Sequence, residues 1–215
     1  MITFRCQSNV YGKSIGIHNR SNTSILQEDW FLASKSYSPL GNLFLTFKWD
    51  PRYRSFLVNY SIQDMSIASQ NFWVLKIQDD NPNLLFFFLA WINSSLSMAI
   101  ILGLADVQRR VWRQLSGSRI DSISIIPLNF ISKVSKSDIL LLKTFIGKKF
   151  DYNLINELHR AILDMNSNTY KNNIRIRIDL IYLKLLTSLI GDKATEFLKE
   201  FYEEFIKELQ KIFAL

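Results

Sequence analysis

The sequence contains few of the residues that build disulfides and metal sites. It has one cysteine, Cys6, and two histidines, His18 and His159, among 215 residues. One cysteine cannot form an internal disulfide, which favours a reducing, cytoplasmic location. A zinc or iron site needs several cysteine or histidine ligands close together, so we expect no such site.

Glycine is also scarce, with 7 residues, and the glycine-rich motifs of nucleotide-binding enzymes are missing. Gly12-Lys13-Ser14 resembles the end of a phosphate-binding loop, but the glycine required five residues before Gly12 is replaced by Gln7. The sequence also has no Gly-x-Gly-x-x-Gly motif and no serine nucleophile between glycines. We therefore predict no catalytic residue and no cofactor-binding residue in this chain.

Positive charge is concentrated in the first two thirds of the sequence. Lysine and arginine number 26, and aspartate and glutamate 19, which gives a net charge of +7. Residues 1–150 carry a net charge of +8, whereas residues 151–215 carry −1. A local excess of this kind indicates a polyanionic partner such as nucleic acid. An ordinary basic surface explains the charge equally well, so charge alone leaves both interpretations open.

The apolar pattern predicts an α+β fold with a β-rich N-terminal part, residues 1–80, and a predominantly helical C-terminal part, residues 81–215. In residues 43–49 apolar side chains alternate with other residues, as in a half-buried strand. Residues 55–60 and 71–78 are rich in aromatic and β-branched side chains, which favours further strands.

The helical part is predicted to begin at Asn81-Pro82, because an asparagine cap is followed by a proline at the first helical position. Apolar residues at helical spacing predict further helices over residues 138–150, 151–165, 174–190 and 193–213. Gly191 is expected to follow the end of the helix over 174–190, since glycine adopts the left-handed conformation that closes many helices.

Residues 84–105 form a run of 22 residues without a formal charge, which is long enough to span a membrane. However, Asn93, Ser94, Ser95 and Ser97 cluster in its middle, where a helix facing lipid rarely carries polar groups. We interpret them as the end of one helix at Asn93 and the start of another at Ser94 or Ser95, giving two short buried helices. A membrane-associated protein anchored by residues 84–105 is the alternative.

Four segments occur in an order that is typical of a known family. They are Asn71-Phe72-Trp73-Val74-Leu75-Lys76, Leu89-Ala90-Trp91-Ile92-Asn93-Ser94-Ser95-Leu96, residues 121–127 ending in Ile125-Ile126-Pro127, and Arg177-Ile178-Asp179. In this order they resemble the C-terminal target-recognition domain of N6-adenine DNA methyltransferases and of restriction–modification enzymes, the TaqI-like specificity domain. The resemblance extends over about residues 48–215.

The resemblance implies a non-catalytic domain that binds double-stranded DNA and supplies target specificity to a methyltransferase or a restriction–modification system. It also implies a partner, the catalytic domain or subunit that binds S-adenosylmethionine, so that cofactor is expected outside this chain. The family's Asn-Pro-Pro-aromatic motif is missing, because Asn81-Pro82-Asn83-Leu84 departs from it at the third position. The Asn-Ser-Ser-Leu helix is expected to be structural, since its apolar neighbours favour burial.

The first candidate group for DNA contact is Arg52, Tyr53 and Arg54. These residues lie in a predicted turn after a strand, where two guanidinium groups can bind phosphates or read guanine edges. A solvated, charged turn explains the same residues equally well, because loops are commonly charged.

The second candidate group gathers four arginines and a tryptophan within a short stretch. Its members are Arg109, Arg110, Trp112, Arg113 and Arg119. On a helix Arg109 and Arg113 would share a face and repel each other, and a bound polyanion would remove that repulsion. The competing explanation is a local acid, Asp106, although one carboxylate cannot balance four arginines.

A helical module for protein–protein interaction is a further alternative. Phe197, Phe201 and Phe205 form an aromatic stripe along the predicted last helix. Such a stripe fits a helix of a partner chain, but packing within the chain is its commoner role.

The missing motifs generate a first prediction. The purified chain should neither bind S-adenosylmethionine appreciably nor methylate DNA, because it lacks both the glycine-rich loop and the Asn-Pro-Pro-aromatic motif. Isothermal titration calorimetry with the cofactor and a methyl-incorporation assay measure the two activities. Cofactor-dependent methylation by the chain alone contradicts the prediction.

Overall fold

The structure is a computed structural model that describes residues 2–6, 41–46, 48–50, 58–65, 72–77, 81–108, 112–116, 119, 123, 126–145 and 153–214. The chain divides into two compact units. The smaller unit comprises Met1–Lys48 and Val58–Asp79, and the larger comprises Trp49–Leu57 and Asp80–Leu215. All six α-helices of the described residues belong to the larger unit.

Among the described residues five strands precede the first two α-helices, and two further strands precede the last four. The strands are β1 Ile2–Cys6, β2 Gly41–Thr46, β3 Lys48–Trp49, β4 Val58–Met65, β5 Phe72–Ile77, β6 Asp106–Gln108 and β7 Trp112–Gln114. The α-helices are α1 Pro82–Ile92, α2 Ser95–Leu104, α3 Lys136–Phe145, α4 Leu154–Asn166, α5 Ile174–Leu186 and α6 Gly191–Ala214. Short 3-10 helices at Leu128–Lys133 and Tyr170–Asn172 precede α3 and α5.

Local sequence signals set where the helices begin. Asn81 caps α1, its Oδ1 accepting a hydrogen bond from the Asn83 N–H at 3.0 Å, and Pro82 occupies the first helical position. Asn153 caps α4 in the same way, accepting from the Asn156 N–H at 3.2 Å. The helix start predicted at Asn81-Pro82 is confirmed.

The uncharged run of residues 84–105 is divided into two short, largely buried helices, as predicted. Asn93 ends α1, and Ser94 caps α2 by accepting from the Ser97 N–H at 3.1 Å. The chain bends by 63° between the two helices. Among the described residues no single helix is long and apolar enough to cross a membrane, and α1 and α2 reach the necessary length and hydropathy only as a bent pair.

The core of the larger unit is built mainly from helical side chains. α4 packs against α6, α1 packs against α3, and α5 contacts both α3 and α6. Fully buried members are Phe87, Phe88, Leu142, Leu158, Tyr182, Leu198 and Leu209. Because each fully buried apolar side chain contributes roughly 1.5–3 kcal/mol, this packing is the main source of stability in the unit.

The aromatic stripe on α6 packs largely within the chain. Phe205 is 7% exposed, and the Phe201 ring lies 5.7 Å from the Phe205 ring and 5.9 Å from the Tyr202 ring between centroids. Phe197, at 43% exposed, is the member most open to solvent. The three rings therefore do not form a continuous free face for a partner helix.

In the smaller unit four short strands pair antiparallel in the order β1-β5-β2-β4. Leu43 and Leu45 of β2 are fully buried, but Phe44 and Thr46 are also buried, at 4% and 2% exposed. The prediction that the strand over residues 43–49 buries only one of its faces is therefore wrong. A period of two describes the direction of successive side chains and does not determine whether the second face is covered.

The predicted fold class is also wrong. In place of an α+β chain with a β-rich part over residues 1–80, most of the described residues lie in six helices, which are accompanied by a two-stranded hairpin of β6 and β7. The described strands before residue 78 are short, and most buried apolar side chains lie on helices. Alternation in a few short segments indicates single strands, but it does not determine how much of a fold is sheet.

The end of α5 lies earlier than predicted. The helix ends at Leu186, and Thr187 caps it in an extended conformation, its Oγ1 donating to the Leu183 carbonyl at 2.8 Å. Gly191, at a φ of 60°, begins α6 and does not close α5. A hydroxyl bonded to the last turn takes the place of the expected glycine, so the predicted role of Gly191 is wrong.

The break between α1 and α2 generates a second prediction. The Ser94 Oγ caps α2 and also donates to the Trp91 carbonyl at 2.7 Å in a buried position. Ser94→Ala removes both bonds, so it should lower the free energy of unfolding by about 1–2 kcal/mol, as measured by urea denaturation.

Ser132→Ala is the matched control. The Ser132 Oγ also donates to a carbonyl three residues earlier, that of Asn129, at 2.7 Å, but the bond is exposed. Its loss should change the free energy of unfolding by less than about 0.5 kcal/mol. Equal losses in the two variants contradict the importance assigned to the buried cap.

Candidate functional site

The arginine-rich segment that was predicted as a DNA contact forms a hairpin. β6 pairs antiparallel with β7, so that Val107 lies opposite Arg113 and Gln108 lies opposite Trp112. Arg113 therefore lies in a strand, and the repulsion considered for a helical spacing of Arg109 and Arg113 does not apply to it. Strand pairing depends on residues across the hairpin, and helical spacing within the sequence does not reveal it.

Arg113 is a buried cation with no ion pair among the described residues. Its side chain is 4% exposed, and neither its Nε nor its Nη1 has a hydrogen-bond partner in the described part of the chain. Burial lowers the pKa of the Arg113 guanidinium from its ordinary value. A buried, unpaired charge costs several kcal/mol, so an acceptor supplied by a ligand would remove a large penalty.

Arg119 has a different environment. Its Nε lies 3.5 Å from the Asp106 Oδ1, and both side chains are about half exposed. Asp106, expected as the local acid for the arginine group, thus pairs with Arg119. An exposed pair of this kind contributes at most about 1 kcal/mol, so a stronger anion can displace the carboxylate.

The structure does not describe the side chains of the other residues predicted to contact DNA. Arg109 and Arg110, like Arg52, Tyr53 and Arg54, lie outside the described residues. Trp112 lies in β7, but its side chain is not among those described. The structure therefore brings Arg113 and Arg119 to the hairpin and its end, and DNA contact stays a prediction for every residue of both groups.

A second polar group, the Asp179 cluster, consists of Ser95, Glu157, Arg175, Asp179 and Tyr202. The Asp179 carboxylate accepts from the Ser95 N–H at 2.9 Å and from the Tyr202 hydroxyl at 2.6 Å. Arg175 Nε donates to Glu157 Oε2 at 2.5 Å. All five side chains are buried, at 7% exposed or less.

The Arg175 guanidinium joins this cluster to the end of α1. Its Nη1 donates to the Asn93 carbonyl at 3.1 Å and to the Ser95 Oγ at 3.5 Å. Arg175 itself is positioned because the Asn173 Oδ1 caps α5 through the Arg175 and Ile176 N–H groups. One side chain therefore binds an acid on α4 and the Asn93 carbonyl at the α1–α2 break.

Burial dominates the electrostatics of the Asp179 cluster. Desolvation raises the pKa of Asp179, although attraction to Arg175 and the bonds from Tyr202 and Ser95 act in the opposite direction. Desolvation, and then the Asp179 charge, raise the pKa of Tyr202 and of Tyr182 well above the ordinary tyrosine value. Both tyrosines are therefore neutral donors, and the Tyr182 hydroxyl donates to the Phe87 carbonyl at 2.5 Å.

The Asp179 cluster joins two of the segments that carry the family resemblance. Ser95 belongs to Asn93-Ser94-Ser95-Leu96, Asp179 ends Arg177-Ile178-Asp179, and the two residues are 84 positions apart in the sequence. The structural role expected for the Asn-Ser-Ser-Leu helix is confirmed, because Asn93, Ser94 and Ser95 are all buried. Their hydrogen bonds hold helices together.

Sequence analysis missed Glu157, Arg175 and Tyr202 as members of this cluster. The available signal was a charged residue inside an apolar stripe: Glu157 lies between Leu154 and Leu158 on the buried face of α4. A charge at such a position needs a buried partner. The sequence does not say which of the opposite charges supplies it.

The described residues contain no candidate metal site. No three histidine, cysteine, aspartate or glutamate side chains in the described part of the chain are grouped so as to hold a metal ion. Comparison with protein-family models, with curated proteins and with solved structures finds no match. Any function of the chain must therefore be argued from its own residues.

The buried carboxyl generates a third prediction. Because the pKa of Asp179 is raised by folding, the unfolded chain loses this proton at a lower pH than the folded chain does. The free energy of unfolding of the native chain should therefore fall, relative to Asp179→Asn, as pH rises through the interval between the two pKa values. The relative change amounts to about 1.4 kcal/mol for each unit of pKa difference. Urea denaturation of both proteins at several pH values measures it.

Glu204→Gln provides a control of opposite sign. A hydrogen bond from Lys207, and then its charge, lower the pKa of Glu204 at the surface of α6. The native chain should therefore gain stability relative to Glu204→Gln as pH rises. A relative stability that also rises with pH for Asp179→Asn contradicts the assigned effect of burial.

Proposed function

We propose that the chain is a non-catalytic, sequence-specific DNA-recognition domain that supplies target specificity to an N6-adenine DNA methyltransferase or a restriction–modification system. Its partners are then double-stranded DNA and the catalytic domain or subunit that binds S-adenosylmethionine. The observation that carries the proposal is the buried guanidinium of Arg113, whose Nε and Nη1 have no hydrogen-bond acceptor among the described residues.

DNA supplies the kind of acceptor that Arg113 lacks. Phosphate oxygens accept charge-assisted hydrogen bonds, and the O6 and N7 atoms of guanine accept two bonds from one guanidinium in the major groove. The desolvated position of Arg113 strengthens any such bond, because the surrounding dielectric constant is low.

The charge of the neighbouring sequence supports the same partner. Arg109 and Arg110 connect β6 to β7 in the sequence, and Arg119 follows β7 at an exposed position. The first 150 residues carry a net charge of +8, which favours long-range attraction of DNA. The single described acid at the hairpin, Asp106, is already engaged by Arg119.

The family resemblance supports a recognition role within a larger assembly. Two of its segments, remote in the sequence, share the hydrogen bond between Ser95 and Asp179. Because each motif supplies one partner of the same buried hydrogen bond, we infer that the two motifs do not occur together by chance. Methyl transfer is not part of the proposal, because the catalytic motif is missing from the sequence.

The fourth prediction separates a DNA contact from a structural role for Arg113. Arg113→Met removes an unpaired buried charge, so the free energy of unfolding should stay unchanged or rise by about 1–3 kcal/mol. The same variant should bind DNA about tenfold more weakly or worse, because a charge-assisted hydrogen bond is lost. Urea denaturation and fluorescence anisotropy with DNA duplexes at several salt concentrations measure the two effects.

Salt dependence and duplex sequence identify the kind of contact. If Arg113 binds a phosphate, Arg113→Met flattens the slope of log affinity against log salt by about one unit on every duplex. If it reads a base, the loss is confined to the preferred sequence. Lys193→Met, which removes an exposed cation at the start of α6, is the matched control and should leave affinity and slope unchanged. A destabilised Arg113→Met variant with unchanged DNA binding contradicts the proposal.

A further inference from the structure

A cleft between α3 and α5 is lined by both charged and aliphatic side chains. Its volume is about 270 Å³, and it opens beside the 3-10 helix Leu128–Lys133. Its lining residues are Lys133, Val134, Asp138, Leu141, Arg177, Leu180, Ile181, Lys184 and Leu185. Three cations and one acid thus surround a surface of aliphatic side chains.

The acid of this cleft already has a local role. The Asp138 carboxylate accepts from the Ser135 Oγ at 2.7 Å, while that Oγ accepts from the Asp138 N–H at 3.1 Å at the start of α3. This reciprocal arrangement is a helix cap. Asp138 therefore belongs to the capping of α3, and the cleft retains an excess of positive charge.

The cations are less well explained by local structure. Arg177 lies in the first turn of α5, where a positive charge opposes the helix dipole. Within the described residues neither Arg177 nor Lys184 has an ion pair or a side-chain hydrogen bond, and both are exposed. Lys133 is also exposed, and its Nζ lies 4.3 Å from the centre of the Phe130 ring.

Helical spacing brings the charged and aliphatic residues of α5 to one side. Arg177 and Lys184 are two turns apart, and Leu180 and Ile181 lie between them on the same face. Leu141 of α3, at 7% exposed, contributes to the opposite wall. The cleft therefore combines an apolar interior with positive charge at its margin.

We propose that this cleft binds a small phosphate monoester that carries an apolar group. The phosphate contacts Lys133, Arg177 and Lys184, and the apolar group occupies the surface formed by Leu141, Leu180 and Ile181. A phosphate monoester carries a charge between about −1.5 and −2 at neutral pH. This charge is opposite and similar in size to the net charge of the cleft, which has three cations and one acid. The planar guanidinium of Arg177 is suited to paired phosphate oxygens.

The size of the cleft limits the ligand. A volume of about 270 Å³ is slightly below the usual range for drug-sized ligands, roughly 300–1,000 Å³. A single ring or a short alkyl chain on the phosphate suits this space better than a nucleotide does. The site shares no residue with the hairpin that was proposed for DNA, so either proposal can fail without the other.

The fifth prediction uses phenyl phosphate as the probe, with inorganic phosphate and benzyl alcohol as its charged and apolar halves. Isothermal titration calorimetry on the full 215-residue chain should give at least about tenfold tighter binding of phenyl phosphate than of either half, since both parts of the cleft are used. Arg177→Gln/Lys184→Gln should weaken phenyl phosphate binding about tenfold or more. Lys133→Gln, on a different element of the cleft, should weaken it independently.

Lys171→Gln/Lys193→Gln is the matched control, because it removes two exposed cations outside the cleft. It should leave phenyl phosphate binding unchanged, and thermal melts should show that both double variants stay folded. Equal binding of phenyl phosphate and inorganic phosphate overturns the proposal, as does an equal loss in the control. Displacement of phenyl phosphate by duplex DNA also overturns it, since the cleft would then be part of a DNA surface.

Discussion

The helical unit depends on the requirement that every buried charge and every free helix end find a partner. Arg175 meets this requirement at three places, through Glu157 on α4, the Asn93 carbonyl that ends α1, and the Ser95 hydroxyl. Asp179 adds the Ser95 N–H and the Tyr202 hydroxyl of α6. Five helices are therefore fixed relative to one another by two adjacent turns of α5. Apolar packing supplies most of the energy, whereas this cluster determines which arrangement is adopted.

The same requirement separates two buried arginines of this chain. Arg175 and Arg113 are both arginines with almost no exposed surface. Arg175 has acceptors from two helices, whereas two nitrogens of Arg113 have none among the described residues. Buried polar groups in folded proteins are nearly always satisfied. Residue type alone does not reveal this difference between the two arginines, because it depends on which acceptors the fold brings to each side chain.

Features governed by neighbouring residues could be predicted from the sequence, and features governed by remote contacts could not. The cap at Asn81 and the break at Asn93-Ser94 follow from rules that act over a few positions, and the structure has both. The balance of helix and sheet, the burial of Phe44 and the hairpin at Arg113 depend on what packs or pairs across the fold. The Asp179 cluster is the clearest case, because Ser95 and its acceptor are 84 positions apart. The resemblance identified both segments as important without giving the reason.

The remote acceptor of Ser95 has a consequence for biosynthesis. The uncharged residues 84–105 leave the ribosome well before Asp179 and Tyr202 have been translated. At roughly 5–20 residues per second, the interval between residues 105 and 202 lasts on the order of ten seconds. During that time the most apolar segment of the chain lacks the helices that cover it and the carboxylate that orients α2. Apolar surface that stays uncovered for this long is prone to aggregation, and a chain that terminated before α6 would keep that surface exposed.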